Sequence, residues 1–199
     1  MYPKASQDLH FKFGLIMIIN ASINFPSGAK LIIVENFFPQ ELAKEINTLF
    51  KLPMNQWTAH DNFAHCPGRL NYDNAHPIKD AIDLYATQLQ DVVGQAIDVK
   101  VEYINHSLWL DVPGYKIAPH KDTEGSGIAV QIYMGDPDVV WEMLGFCVYT
   151  EQQRALFETH YRINAGYICL HPHLINHGLN HTITPQFVRN SVYMRYSIK

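Results

Sequence analysis

The apolar positions of this chain follow two different periods, one on each side of residue 100. Before it, residues 30–38 (KLIIVENFF) form a short continuous apolar run that reads as a buried strand, and Pro39 then supplies the fixed φ suited to a helix's first turn. The helix predicted from there to about residue 50 carries Leu42, Ile46, Leu49 and Phe50 as one apolar stripe. A second helix is predicted over 77–97. Behind Pro77, the residues Ile78, Ile82, Tyr85, Leu89, Val92 and Ala96 recur every three or four positions. Between the two helices, residues 60–74 contain Pro67, Gly68 and scattered aromatic and polar residues, and read as a long loop.

Beyond residue 100 the apolar runs become short or alternating and are separated by Gly, Pro, Asn and Asp, the pattern of an all-β barrel or sandwich. Strands are predicted near 101–110, 115–122, 127–134, 145–150, 166–170, 179–184 and 187–197. Two helices followed by such strands predict a mainly β fold, with the helices packed on one face of a jelly-roll barrel. At 199 residues the chain fits a single domain, 1–199, large enough to bury a core without disulfides.

Composition narrows the function. With 47% apolar and 17% charged residues the chain is globular rather than disordered. Its net charge of −4, without a Lys/Arg cluster, offers no grip on a phosphate backbone, so no nucleic-acid partner is expected. Cys66, Cys147 and Cys169 are odd in number and far apart, which fits neither a disulfide framework nor a C-x-x-C motif and points to a reducing cytoplasm. The apolar run 13–19 lies behind Asp8 and Lys12 and is too short to span a bilayer, so neither a secretory signal nor a membrane partner is expected.

The candidate chemistry lies in the second half. In Pro113-Gly114-Tyr115-Lys116-Ile117-Ala118-Pro119-His120-Lys121-Asp122 the prolines and glycine argue against helix, and on an extended strand His120 and Asp122 share a face. An imidazole and a carboxylate there, joined by a second imidazole, compose the two-histidine, one-carboxylate set that leaves metal positions open for oxygen chemistry. For that second imidazole the segment 171–181 offers His171, His173, His177 and His181, and composition alone does not choose. The sequel does: Pro185-Gln186 reads as a turn whose return strand sets Arg189 and Ser191 beside His181. Those two residues share a strand face, where a guanidinium and a hydroxyl can clamp a carboxylate.

The run Asp111-Val112-Pro113-Gly114-Tyr115 into His120-Lys121-Asp122, then His181-x-Ile-x-Pro185, then Arg189-Asn190-Ser191, resembles the 2-oxoglutarate- and iron(II)-dependent oxygenases of the double-stranded β-helix class, in their prolyl-hydroxylase-like branch. The resemblance implies a jelly-roll or cupin-like barrel in which His120, Asp122 and His181 hold iron(II), while Arg189 and Ser191 bind the distal carboxylate of 2-oxoglutarate. It further implies that O2 is consumed, that succinate and CO2 are released, and that a peptide side chain or small molecule is hydroxylated. Arg189 lies eight residues after His181 and twelve after His177, against about ten in that branch, which keeps His177 open as the third ligand. Arg195, six residues beyond Arg189, resembles the second arginine of the nucleic-acid demethylase branch, a reading the acidic composition opposes.

Tyr133 shares a face with Gln131 and is placed to donate to a cosubstrate carboxylate or to pack in the barrel. Asn105 and Ser107 alternate on the 101–110 strand, facing the same pocket or satisfying local backbone. Trp57, His60, Phe63, Tyr72 and Trp141 wall a substrate entrance or pack as a satellite core. Two other classes compete: a cupin-like metal barrel acting as isomerase, hydrolase or dioxygenase without 2-oxoglutarate, and a non-enzymatic metal- or sugar-binding jelly roll. A response to 2-oxoglutarate that depends on Arg189 separates the oxygenase from both.

Overall fold

A computed structural model describes residues 7–10, 16–60, 67–123, 125, 127–135 and 144–199. In chain order the elements are β1 (Gln7–His10), β2 (Ile16–Asn24), β3 (Lys30–Glu35), α1 (Gln40–Leu49), β4 (Thr58–Ala59), β5 (Arg69–Asn71), α2 (Pro77–Gln88) and α3 (Gln90–Ile97). Then come β6 (Val101–Asp111), β7 (Ile128–Met134), β8 (Cys147–Tyr149), β9 (Ala155–Glu158), β10 (Ala165–Leu170), β11 (Asn176–Gly178) and β12 (Arg189–Ile198). The strands pair antiparallel in a large sheet of order β1-β2-β3-β10-β7-β12-β6-β5-β4 and a small one of order β11-β8-β9.

The period-two alternation of the long strands assigns each face of the large sheet its work. Val130, Ile132, Val192, Met194, Leu108 and Leu110 point to one side, where they pack against Ala43, Ile46 and Leu49 of α1, Ile78 and Ile82 of α2, and Val92 and Val93 of α3. Ala129, Tyr133, Tyr167 and Cys169 point to the other and meet Val148 of the small sheet together with Phe146, Ile175, Leu179 and Ile183. The result is a double-stranded β-helix with its helices on one outer face, and the interior between the two sheets is where the polar residues collect.

The predicted helix over 77–97 is two helices. Pro77 opens α2 as expected, and the His76 ring caps it by accepting from the Ile78 amide at 3.2 Å. Near its end Thr87 Oγ1 donates back to the Asp83 carbonyl at 2.8 Å, a bond that bends helices, and α3 starts beyond Leu89. Two predicted strands do not form. Residues 115–122 are irregular apart from a single bridge at His120, and 179–184 form a loop anchored by the buried Ile183. The strand facing that bridge is β11, a few residues earlier than predicted. The predicted loop 60–74 contains β5, a strand of three residues paired to β6 on one side and β4 on the other, and residues 16–19 of the apolar run belong to β2. Among the described residues no helix is long and apolar enough to cross a membrane.

Candidate active site

The polar centre begins with backbone pairing. The His120 amide donates to the His177 carbonyl at 2.9 Å and the His177 amide to the His120 carbonyl at 2.8 Å, so the two histidines face each other directly and send their side chains to one face. Close approach here depends on Gly178, where a Cβ would stand 2.8 Å from the Ile117 carbonyl oxygen. Asp122, two residues on from His120, projects to the same side as predicted. The ligating atoms of His120, Asp122 and His177 lie within 4.8 Å of one another.

Hydrogen bonds fix how the rings present themselves. His120 Nδ1 meets the Ala118 carbonyl at 2.9 Å and His177 Nδ1 meets the Ile175 carbonyl at 3.2 Å. A carbonyl only accepts, so each Nδ1 carries the proton and each Nε2 is left to point inward. Both Nε2 atoms converge on Asp122 Oδ1, at 3.5 Å from His120 and 3.3 Å from His177. Partial burial pushes the Asp122 carboxyl up, but hydrogen bonds from both rings and their charge outweigh it and hold it well below the ordinary carboxylate range. Partial burial pulls His120 down, yet its bonds to Asp122 and to the Ala118 carbonyl leave it above the ordinary imidazole value. Once a metal displaces the proton that each ring turns toward Asp122, two imidazole nitrogens and a carboxylate oxygen aimed at one point fit a first-row divalent ion.

His181, expected as the third ligand, is not brought to this cluster. It sits in the loop before β12, half-buried, with Nε2 beside Asn180 Nδ2 at 3.3 Å. The physical reason is register: the expectation placed a strand at 179–184 hairpinned onto the last one, whereas the backbone partner of His120 is β11, and a longer loop carries the chain from there to Arg189. His171 and His173 face each other at 5.5 Å between ring centroids, outside the cluster.

A cavity of about 90 Å³ joins the cluster to Arg189, with Gln131, Tyr167 and Tyr193 along its wall. That room suits a small acid or one end of a larger molecule. At its far end three strands align in register, Arg69 of β5 opposite Asp111 of β6 opposite Arg189 of β12, and all three residues are buried. Arg69 Nε and Nη2 donate to Asp111 Oδ1 and Oδ2 at 2.7 and 3.0 Å. Arg189 donates through Nε and Nη2 to Asp111 Oδ2 at 3.0 and 2.8 Å, and through Nη1 to the Leu144 carbonyl at 3.1 Å. Ser191, the neighbour of Arg189 on this face, accepts from Gln131 Nε2 at 2.9 Å, and Gln131 Oε1 accepts from the Tyr167 hydroxyl at 2.9 Å. Tyr133 is fully buried, its ring 5.7 Å from the Arg189 guanidinium carbon and its hydroxyl 3.4 Å from Thr159 Oγ1.

Other expected residues fall elsewhere. Asn105 and Arg195 are exposed, and Ser107 does not line the cavity. Trp57 stacks on Phe50 and meets Tyr72 edge-on, so both belong to the helical core, while His60 lies edge-on to Trp109. Phe63, Cys66 and Trp141 lie outside the described residues. Sequence reasoning missed Arg69, because a three-residue strand inside a predicted loop has no periodicity to betray it. Trp109 and Asp111 were legible in principle, since they continue the parity of Ser107 along β6.

No protein-family model matches the chain, and none of the curated proteins matches its sequence. Solved structures do match its fold. A prolyl-4-hydroxylase from Pseudomonas putida superposes with a TM-score of 0.63 at 10% identity, over 85% of this chain and 92% of its own. A prolyl hydroxylase from Trichoplax adhaerens, in complex with a hypoxia inducible factor oxygen degradation domain peptide fragment, gives 0.61 at 11% identity, over 84% and 83%. HygX from Streptomyces hygroscopicus, with nickel, 2-oxoglutarate and hygromycin B bound, gives 0.58 at 11% identity, over 84% and 82%. The resemblance read from the motif residues therefore holds at the level of the fold.

Proposed function

We propose that this chain is a non-haem iron(II)- and 2-oxoglutarate-dependent oxygenase of one domain that hydroxylates a peptide side chain or a small molecule. The observation that carries the reading is the convergence of two imidazole Nε2 atoms on the Asp122 carboxylate in a cavity whose other end holds a buried guanidinium. Bound iron(II), with 2-oxoglutarate and O2, supplies the oxidising power for hydroxylation, releasing succinate and CO2. His120, Asp122 and His177 would hold the metal from one side, and the carbonyls of Ala118 and Ile175 keep both rings in the ligating tautomer. Arg189 would hold the distal carboxylate of 2-oxoglutarate, with Ser191 beside it and the Tyr133 ring packed against its guanidinium. Tyr115, Phe146 and Tyr167 wall the interior and keep water from it. Support also comes from the fold neighbours, one with metal and 2-oxoglutarate bound and one with a peptide.

The test is an anaerobic titration with iron(II) and then 2-oxoglutarate. A visible charge-transfer band that disappears on admitting oxygen, with succinate formed, is the expected result. Tight metal binding without a band would move the function to a metal barrel that does not use 2-oxoglutarate.

A further inference from the structure

Arg189 arrives at the cavity already paired. Its Nε and Nη2, the edge that would grip a carboxylate in two-point fashion, are both spent on Asp111 Oδ2, and Asp111 is completely buried. An arginine and an aspartate in contact at a buried site form a neutral pair with little net attraction for another anion. Arg69 changes that balance. It too is buried, and it binds the same carboxylate from the opposite strand, so two guanidiniums share one negative charge and leave one positive charge at this end. Both arginines line the cavity, whereas Asp111 stands behind them and does not. Among the described residues nothing hydrogen-bonds to Arg69 Nη1. The guanidinium is held over Trp109, its carbon 3.9 Å from the ring centroid, with Tyr115 at 4.6 Å.

We propose that Arg69 is the specificity-determining residue of the carboxylate end of this cavity: it restores the positive charge that Asp111 cancels on Arg189, and so lets the pocket hold a dicarboxylate. The inference rests on the proposed function only for the identity of the ligand, and its test avoids the metal.

Glutarate, a dicarboxylate with no keto group to chelate a metal, is titrated calorimetrically into the metal-free protein. The wild type is expected to bind it. Arg69→Gln is expected to weaken it by roughly 10- to 100-fold, the worth of one charged hydrogen-bonding partner, and Arg69→Lys to recover part of that loss. The decisive variant is Arg69→Gln with Asp111→Asn, which removes one charge of each sign. It keeps the net positive charge on Arg189 and is expected to bind glutarate within a few-fold of wild type. Because it leaves no unpaired buried carboxylate, it also decides the matter if the single variant does not fold. Unchanged affinity in Arg69→Gln, or a double variant with binding lost, would overturn the proposal, as would a wild type that does not bind glutarate. A wild-type iron(II)–2-oxoglutarate band alongside glutarate binding indifferent to Arg69 would sink this inference and leave the functional reading standing. Absence of both would sink both.

Discussion

His177 and His120 are bonded to each other twice through their backbones, at 2.8 and 2.9 Å, and it is this pairing that brings their rings to the same carboxylate. Histidine identity is thus secondary to strand register in building the centre. His177→Ala is expected to abolish tight iron(II) or nickel(II) binding, with a loss beyond the roughly 10- to 100-fold typical of outer-sphere changes. His181→Ala should stay within a few-fold of wild type. Equilibrium dialysis of the two variants against one metal buffer is enough, and the opposite ranking would show that the loop before β12 carries the ligand after all.

Gly178 tests the same pairing from the backbone. A methyl group there would sit 2.8 Å from the Ile117 carbonyl and 3.0 Å from that of Ala118, contacts that only a shift of β11 away from His120 relieves. Gly178→Ala should therefore lower metal affinity while the far-UV circular dichroism, dominated by the large sheet, stays as it was. Metal affinity equal to wild type would mean the two segments tolerate separation.

How much of this was legible in the sequence depends on length and period. β6, β7 and β12 were readable because seven or more residues of alternation leave one register only, and the face assignments of Gln131, Tyr133, Arg189 and Ser191 followed from it. The His120 and Asp122 pairing was readable from their two-residue spacing. The third histidine was not, because β11 is three residues long and meets His120 through a single bridge, so nothing periodic marks which of four histidines meets His120. Arg69 was hidden for the same reason. Its role exists only through pairing with Asp111, some forty positions away.

Asn164 ties the helical layer to the sheet. Its backbone is left-handed at φ 55°, and its side chain accepts from the Phe38 amide and donates to the Phe38 carbonyl, each at 2.8 Å. Asn164→Ala loses both bonds and keeps the unfavourable φ, for an expected destabilisation of roughly 2–4 kcal/mol. Asn164→Gly relieves the φ but not the bonds and should fall between. Urea denaturation of the three proteins gives the order, and an alanine variant as stable as wild type would show that water replaces the bridge at no cost.

Asp111 gives the pH dependence. Burial alone would push its carboxyl up, but the charges of Arg69 and Arg189 and the hydrogen bonds both donate outweigh that and hold it below the ordinary value. A carboxyl lowered in the folded state binds its proton more readily when unfolded. Its contribution to stability is therefore complete above the unfolded value of about 3.9 and is lost as pH falls through the depressed folded value. Asp111→Asn leaves two guanidiniums buried without their counter-charge, so at pH 7 it should cost about 3–5 kcal/mol. Asp122 also titrates low, so the wild-type curve alone does not isolate Asp111. The difference between the wild-type and Asp111→Asn stability curves from pH 7 down to 2 does, because Asp122 is common to both. That difference should be constant above about pH 5 and shrink toward acid. Curves that stay parallel throughout would mean that Asp111 is held by packing and not by the two arginines.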